Sequence, residues 1–336
     1  MGSMLGSVRG RIVAGVVVVL VIILGWFFLQ FEPLFSSPGK SVIITVHKGD
    51  SMSTIASELH ADGVIASPFA FRLDTLISSI NVVPGSYQLR QHSSFGAVRS
   101  ILTSLPNVVS IDVTAGLTLH EVAVDIANSM GATYANAFTA AATQAVTPSS
   151  FSSPTSLEGL IGTGNYIIGP GESPKTLARR MVDGFEKEAA SQGLTPTTTL
   201  NGLNAYQLVI AASIVEKEGY YPVNMPDVAR VIYNRLARGG PLQMDATVLY
   251  YLGKDGGTVT PAMLQTQEPY NTYLNTGLTP TPICAVSTIA LHATLHAPPG
   301  SWLYFTLINQ DGTMKFSTTF AQQLAAEKLG QQNGIG

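Results

Sequence analysis

Asn204-Ala-Tyr-Gln-Leu-Val-Ile-Ala-Ala-Ser-Ile-Val-Glu-Lys-Glu-Gly219 is the stretch on which the reading of this chain turns. Asn204 is a strong helix N-cap, and Gln207 stands where a capping box places Glu or Gln. Gly219 is a natural residue to follow a helix end. Between them, Ala205–Glu218 is apolar on nearly every face, so the spacing predicts a buried helix. Glu216 and Glu218 emerge at its end about 200° apart and point in different directions. A carboxyl there meets the negative end of the helix dipole beside an apolar wall, and both effects raise its pKa. A carboxyl still protonated near neutral pH is the general acid that breaking a glycosidic bond requires. Helical geometry does not choose between the two glutamates, and a solvated helix end is the ordinary reading of Glu-Lys-Glu.

Downstream, Asn224–Arg238 reads as a second helix, with Val228, Val231, Ile232 and Leu236 on one face and Gly239 at its end. Then come Leu242-Gln-Met-Asp-Ala-Thr-Val248, Tyr270-Asn-Thr-Tyr273 and Thr276-Gly-Leu-Thr-Pro-Thr-Pro-Ile283. Leu303-Tyr-Phe-Thr306 and Met314-Lys-Phe-Ser317, around an Asp311-Gly312 turn, form a β-hairpin pattern. Upstream, Leu177, Met181, Phe185 and Ala189 mark Leu177–Gln192 as an amphipathic helix. Small residues and prolines are common over 131–204, which suggests loops there, and Pro148–Pro154 breaks the pattern.

The N-terminal part is organised differently. Ile12–Leu29 carries no charged side chain, and about 18 such residues are enough to cross a bilayer as a helix. Arg9 and Arg11 precede it, which places residues 1–11 in the cytoplasm and the rest outside, on a single retained membrane helix over 12–31. A cleaved signal peptide is the alternative, but the run is long for one and Trp26–Phe31 offers no small-residue cleavage site. Residues 32–41 are a Pro/Ser/Gly linker. Over 42–107 the pattern is strand, two helices, strand and helix: Val42–Val46, a helix around Ile55 and Leu59, Ser67–Ser78, Ser86–Leu89 and Phe95–Leu105. Phe69, Leu73, Leu76 and Ile77 share one side of the second helix and are expected to face the core. Val108–Val113 is a strand and Thr118–Ser129 a helix, opening a larger α+β domain over 108–330.

Composition narrows the function. The formal net charge of the 336 residues is −3, with no basic stripe, which argues against nucleic acid. Cys284 is the only cysteine, so no internal disulfide forms. His292 and His296 stand one helical turn apart but lack the glutamate of a zinc-protease motif and any evident third ligand. No metal or other cofactor is expected.

In this order and spacing, A-S-I-V-E-K-E, V-I-Y-N-R-L, L-Q-M-D-A-T-V, Y-N-T-Y, T-G-L-x-x-x-P-I and the L-Y-F hairpin resemble the YceG/MltG family of membrane-anchored endolytic murein transglycosylases. The matching segments run from Leu208 to about Phe320. The resemblance implies cleavage between N-acetylmuramic acid and N-acetylglucosamine with 1,6-anhydro ends, and it places the family's catalytic glutamate on Glu218. It also implies peptidoglycan glycan strands as substrate and penicillin-binding synthases as partners. V-H-K-G-D-S-M-S-T-I-A over Val46–Ala56 resembles a LysM module, which binds glycan, although the unit can equally serve as a spacer.

Other residues have two readings each. Asp245 is a second polar contributor or a helix-capping residue. Gln243, Asn271 and Tyr273 carry groups that sugars use and are also suited to structural roles. Asn234 and Arg235 line the cleft or brace the Glu218 helix. The chain departs from the family at Leu160–Tyr166, at Thr281, where a glycine is usual, and at Met314, where a histidine is common. A two-carboxylate muramidase and a non-catalytic glycan-binding scaffold are the competing functions.

Overall fold

The computed structural model describes residues 8–31, 39–143, 149–151, 156–219 and 221–335. Residues 1–7, most of the 32–41 linker and most of the Pro148–Pro154 break lie outside them. The chain divides into two compact units, 1–109 with 167–171, and 110–166 with 172–336.

The first unit opens with helix α1 (Val8–Phe31), which contains the apolar Ile12–Leu29 segment. Along α1 the side chains are described at Ile12–Ile22 and Gly25, and most of these are exposed. Among the described residues no helix is long and apolar enough to cross a membrane, which takes about 20 residues.

Strand β1 (Ser41–Val46), helices α2 (Met52–Ala61) and α3 (Pro68–Ser78), strand β2 (Gly85–Arg90) and helix α4 (Phe95–Leu102) follow. The strands pair antiparallel with Ser41 opposite Arg90 and Val46 opposite Gly85. Ser51, Ser67 and Ser94 cap the three helices by accepting a backbone N–H three residues on. Ile44, Leu59, Phe71, Tyr87, Leu89, Phe95 and Val98 form the core, with Phe71 and Phe95 edge to face at 5.3 Å.

The expected inner face of α3 is its outer one. Phe69, Leu76 and Ile77 are 68–76% exposed. Ala70, Phe71, Asp74 and Thr75 are buried instead, with Asp74 accepting from Arg99 at 2.9 Å. Phe71 fills the core position, and that turns the helix by nearly half a turn from the face its larger apolar residues mark.

The second unit is α+β and mostly helical. Strand β3 (Val109–Val113), helices α5 (Leu119–Met130) and α6 (Ala132–Thr143), strand β4 (Gly164–Ile168) and helix α7 (Pro174–Ser191) lead into it, and β3 pairs with β4. The short antiparallel strands β5 (Thr199–Leu200) and β6 (Leu203–Asn204) precede α8 (Ala205–Glu218). Then come α9 (Met225–Ala237), α10 (Asp245–Tyr251), α11 (Pro261–Leu264), α12 (Thr288–Leu295), the hairpin β7 (Tyr304–Leu307) and β8 (Met314–Ser317), and α13 (Phe320–Gln332).

Helix α6 falls in the stretch whose small residues suggested loops. Its alanines and Phe138 pack tightly enough to bury Ala135, Phe138, Ala141 and Ala142. On α7, Leu177, Met181, Phe185 and Ala189 are all buried. Helix α8 is the centre of this unit: Ile214 and Val215 meet Val228 and Ile232 of α9, Ala290 and Ala293 of α12, and Leu242, Met244 and Ile283 between helices. Each of the valine, leucine, isoleucine and methionine side chains adds about 1.5–3 kcal/mol on burial, which fixes the axis of α8 firmly.

Candidate active site

Helix α8 begins with a complete capping box. Asn204 accepts the Gln207 N–H at 2.9 Å and Gln207 accepts the Asn204 N–H at 3.0 Å. Leu208–Val215 is buried throughout, and its one hydroxyl is satisfied there. Ser213 Oγ donates to the Ile210 carbonyl at 2.8 Å and accepts the Ile283 N–H at 3.0 Å. Complete burial ends after Val215, and three successive, half-buried side chains reach three different segments.

Glu216 Oε2 accepts the Ser287 N–H at 2.9 Å and its hydroxyl at 2.6 Å. Ser287 is the N-cap of α12, so Glu216 holds the start of that helix. Lys217 Nζ donates to the Gly116 carbonyl at 3.1 Å and to Asp255 at 2.6 Å. Glu218 Oε1 accepts the Ala246 N–H at 3.0 Å.

The Ala246 N–H belongs to the first turn of α10, where backbone donors are unpaired. Glu218 therefore sits at the negative end of its own helix and the positive end of another. Desolvation dominates the balance and, with the Asp245 charge, outweighs the Ala246 bond and the Arg235 cation, pushing the Glu218 carboxyl up to about 7. Burial beside the apolar wall is thus the largest influence on this carboxyl. Gly219 also departs from expectation, since its φ of −68° is right-handed. It is a glycine for space: a Cβ there would stand 2.5 Å from Met225 Cγ and 2.8 Å from the Val215 carbonyl.

Around this carboxyl the structure gathers Asp245, Tyr273 and Arg235. Tyr273 donates its hydroxyl to Asp245 Oδ1 at 2.6 Å, and burial with the Asp245 charge raises its own pKa well above the usual phenol value. Asp245 is also the first residue of α10. Arg235 donates from Nε to the Leu303 carbonyl at 2.6 Å and also bonds the Leu242 carbonyl. Its guanidinium lies 5.5 Å over the Tyr304 ring. This arginine braces the hairpin and extends its charge toward Glu218.

Asn234, Asn271 and Glu216 are not brought to the carboxyl. Asn234 donates to the Gly300 and Trp302 carbonyls at 3.1 and 2.8 Å. Asn271 is 1% exposed, donates to the Leu264 and Thr266 carbonyls, and accepts the Tyr273 N–H at 3.0 Å. It sets the backbone from which Tyr273 projects. Gln243 is exposed at a left-handed φ of 51°, with its N–H on the Thr272 carbonyl at 2.9 Å. Strain of this kind, unusual outside glycine, re-aims the chain just before Asp245.

A second buried carboxyl escaped the sequence reading. Glu158 accepts the Leu119 N–H with both oxygens, at 3.0 and 3.2 Å, and the Tyr250 hydroxyl at 3.0 Å. Burial, the largest influence, pushes it up to about 7. The only signal was Leu157-Glu-Gly159 itself, since nothing local announces a partner 92 positions away. Nearby, Thr281 occupies the usual glycine position and shares a 2.8 Å hydrogen bond with the Tyr270 hydroxyl. His292 of α12 and His296, which follows that helix as its C-cap, stack with ring centroids 4.2 Å apart. Among the described residues no group of three or more His, Cys, Asp or Glu is placed to hold a metal ion.

With this geometry in place, comparison with known proteins is informative. The YceG-like family model matches residues 44–328. An endolytic murein transglycosylase of Bacillus subtilis (strain 168) is 30% identical over 330 residues, covering 91% of each chain. One of Streptococcus pneumoniae serotype 2 is 30% identical over 169 residues, 48% of this chain and 30% of that one. A crystal structure of a YceG-like protein from Listeria monocytogenes shares the fold with a TM-score of 0.55 at 24% identity, covering 85% of this chain and 98% of that one. From the ordered motifs and the matched span together, the chain belongs to the YceG-like family.

Proposed function

We propose that this protein is an endolytic peptidoglycan lytic transglycosylase and that Glu218 is its acid. The observation that carries the reading is a carboxyl raised to about 7, held by the Ala246 N–H beside Asp245 and Tyr273. The name of the Bacillus subtilis relative supports the substrate class. Glu218 protonates the departing glycosidic oxygen between N-acetylmuramic acid and N-acetylglucosamine. The resulting carboxylate takes the proton of the muramic C6 hydroxyl, whose oxygen closes on C1 to leave a 1,6-anhydro end. An internal nucleophile lets one carboxyl serve both steps. Asp245 stabilises the positive charge that develops on the sugar, and Arg235 limits the cost of ionising Glu218.

Glu218→Gln keeps the Ala246 contact and removes the proton. Activity on purified sacculi is expected to fall by about 10²–10⁴-fold while the circular dichroism spectrum is unchanged. Equal cleavage by both proteins would remove Glu218 from the mechanism. The proximity of Asp245 favours one alternative, a two-carboxylate hydrolase. Mass spectrometry separates them, because hydrolysis leaves reducing muramic ends in place of anhydro ends.

We place the catalytic unit outside the cytoplasmic membrane, anchored through Ile12–Leu29 in α1. The first unit, with the Val46–Ala56 motif on β1 and α2, is read as a LysM-like glycan-binding module. The activity fits a partnership with penicillin-binding synthases, in which nascent strands are cut as they emerge. Deleting residues 1–38 is expected to move the protein from the membrane to the soluble fraction.

A further inference from the structure

Beside α10 lies a cavity of about 360 Å³, walled entirely by the second unit and including Glu158, Lys217, Tyr250, Tyr251, Tyr270 and Ile283. Glu218 does not line it. We propose that this cavity is a subsite for one N-acetylhexosamine ring of the glycan, next to the bond that is cut. The inference rests on the reading of Glu218 as the acid.

Position is the first support. Helix α10 carries Asp245 and Ala246 at its start and Tyr250 five residues on, about 7 Å along the axis at 1.5 Å per residue. Lys217, the neighbour of Glu218 in sequence, lines the cavity. Helix α10 thus gives Glu218 its backbone donor at one end and the cavity its Tyr250 wall at the other.

The walls are the second. Tyr250 and Tyr270 sit with ring centroids 5.0 Å apart, Ile283 lines the cavity fully buried, and Tyr251 lines it while 38% exposed. A pyranose presents a C–H face to such rings and hydroxyls to the polar rim. The Glu158 bond to the Tyr250 hydroxyl fixes the inner ring in place, so the wall is set before a ligand arrives. The volume lies within the usual range for a small-molecule site.

Charge is the third. Glu121, Glu158 and Asp255 are set against Lys217 and Lys254, with no surplus of cations. The stem peptide of peptidoglycan is rich in carboxylates and would call for one. The balance favours the neutral sugar.

The test uses the full-length Glu218→Gln protein, so that no ligand is consumed. Calorimetric titration with a peptide-free N-acetylglucosamine trimer is expected to show binding, accompanied by slowed hydrogen exchange across Leu249–Asp255. Adding Tyr251→Ala, the exposed lining residue, is expected to weaken that binding roughly three- to tenfold. In the otherwise wild-type protein the same change raises KM for sacculi in the same ratio and leaves kcat nearly unaltered. Absence of binding overturns the proposal. So does binding that Tyr251→Ala does not weaken and that leaves Leu249–Asp255 unprotected, which places the sugar elsewhere on the chain. A synthetic stem peptide that binds in place of the trimer, with the same sensitivity to Tyr251→Ala, reassigns the cavity to peptide and overturns the sugar reading. These outcomes are independent of whether Glu218→Gln abolishes cleavage, so the acid and the subsite can fail separately.

Discussion

At the scale of single residues, Glu218 is governed by surroundings that the chain brings from far apart. An acid with a pKa of about 7 predicts that kcat/KM on sacculi falls tenfold per pH unit above that value. A profile flat to pH 9 would contradict it. Stability follows the same carboxyls with a definite sign. Glu158 and Glu218 ionise near 4.5 when unfolded and near 7 when folded. Between those values the folded chain holds more protons than the unfolded one, so stability falls as pH rises through the window and is level above it. Each group contributes a loss of about 3 kcal/mol. Glu218→Gln is therefore expected to melt higher than wild type at pH 8 and nearly the same at pH 4. Local sequence gave access to Glu218 as one of two candidates, because a capped apolar helix ends there. The family motifs separated it from Glu216, whose cap on Ser287 lies 71 positions away and is invisible in the sequence. Glu158 was illegible for the same reason.

At the scale of elements, the ends of α8 decide how the site is built. Gly219→Ala keeps a right-handed backbone but drives a Cβ into Met225 and the Val215 carbonyl. An overpacked contact of this kind costs about 1–3 kcal/mol, and the shift falls on the residue beside Glu218. Both a lower melting temperature and lower activity are expected, and an unchanged melt would show that α9 yields easily. Glu216→Ala leaves the Ser287 cap on Ala290 in place but takes the acceptor from the Ser287 N–H and hydroxyl, a loss of about 1 kcal/mol in urea unfolding. Amphipathic and capped helices were readable: α7, α8 and α9 fall where periodicity and caps put them. Helix α3 was misread because its larger aliphatics lie outside, while Ala70, Phe71 and a buried Asp74–Arg99 pair lie inside. Helix α6 was hidden by its own composition, since alanine and threonine give no amphipathic stripe.

At the scale of the molecule, the ordered motifs of the second unit made its identity legible, while the packing that joins them was not. The contacts that matter run from Glu158 to Tyr250, Lys217 to Gly116 and Asn224 to Gly312, across 88 to 101 positions. Such pairings are set by the whole core, and no local pattern specifies them. They also carry a consequence for how this family can vary. Glu216, Lys217 and Glu218 each grip a different segment from consecutive positions on one rigid rod. Inserting or deleting a single residue within α8 would turn all three by about 100° at once. No compensating change elsewhere could re-seat three partners together. Descent through this gene can therefore exchange letters in that helix but cannot alter its length, and an insertion scan should find the segment between Leu208 and Glu218 uniformly intolerant while the surface loop at Thr195–Thr198 accepts added residues.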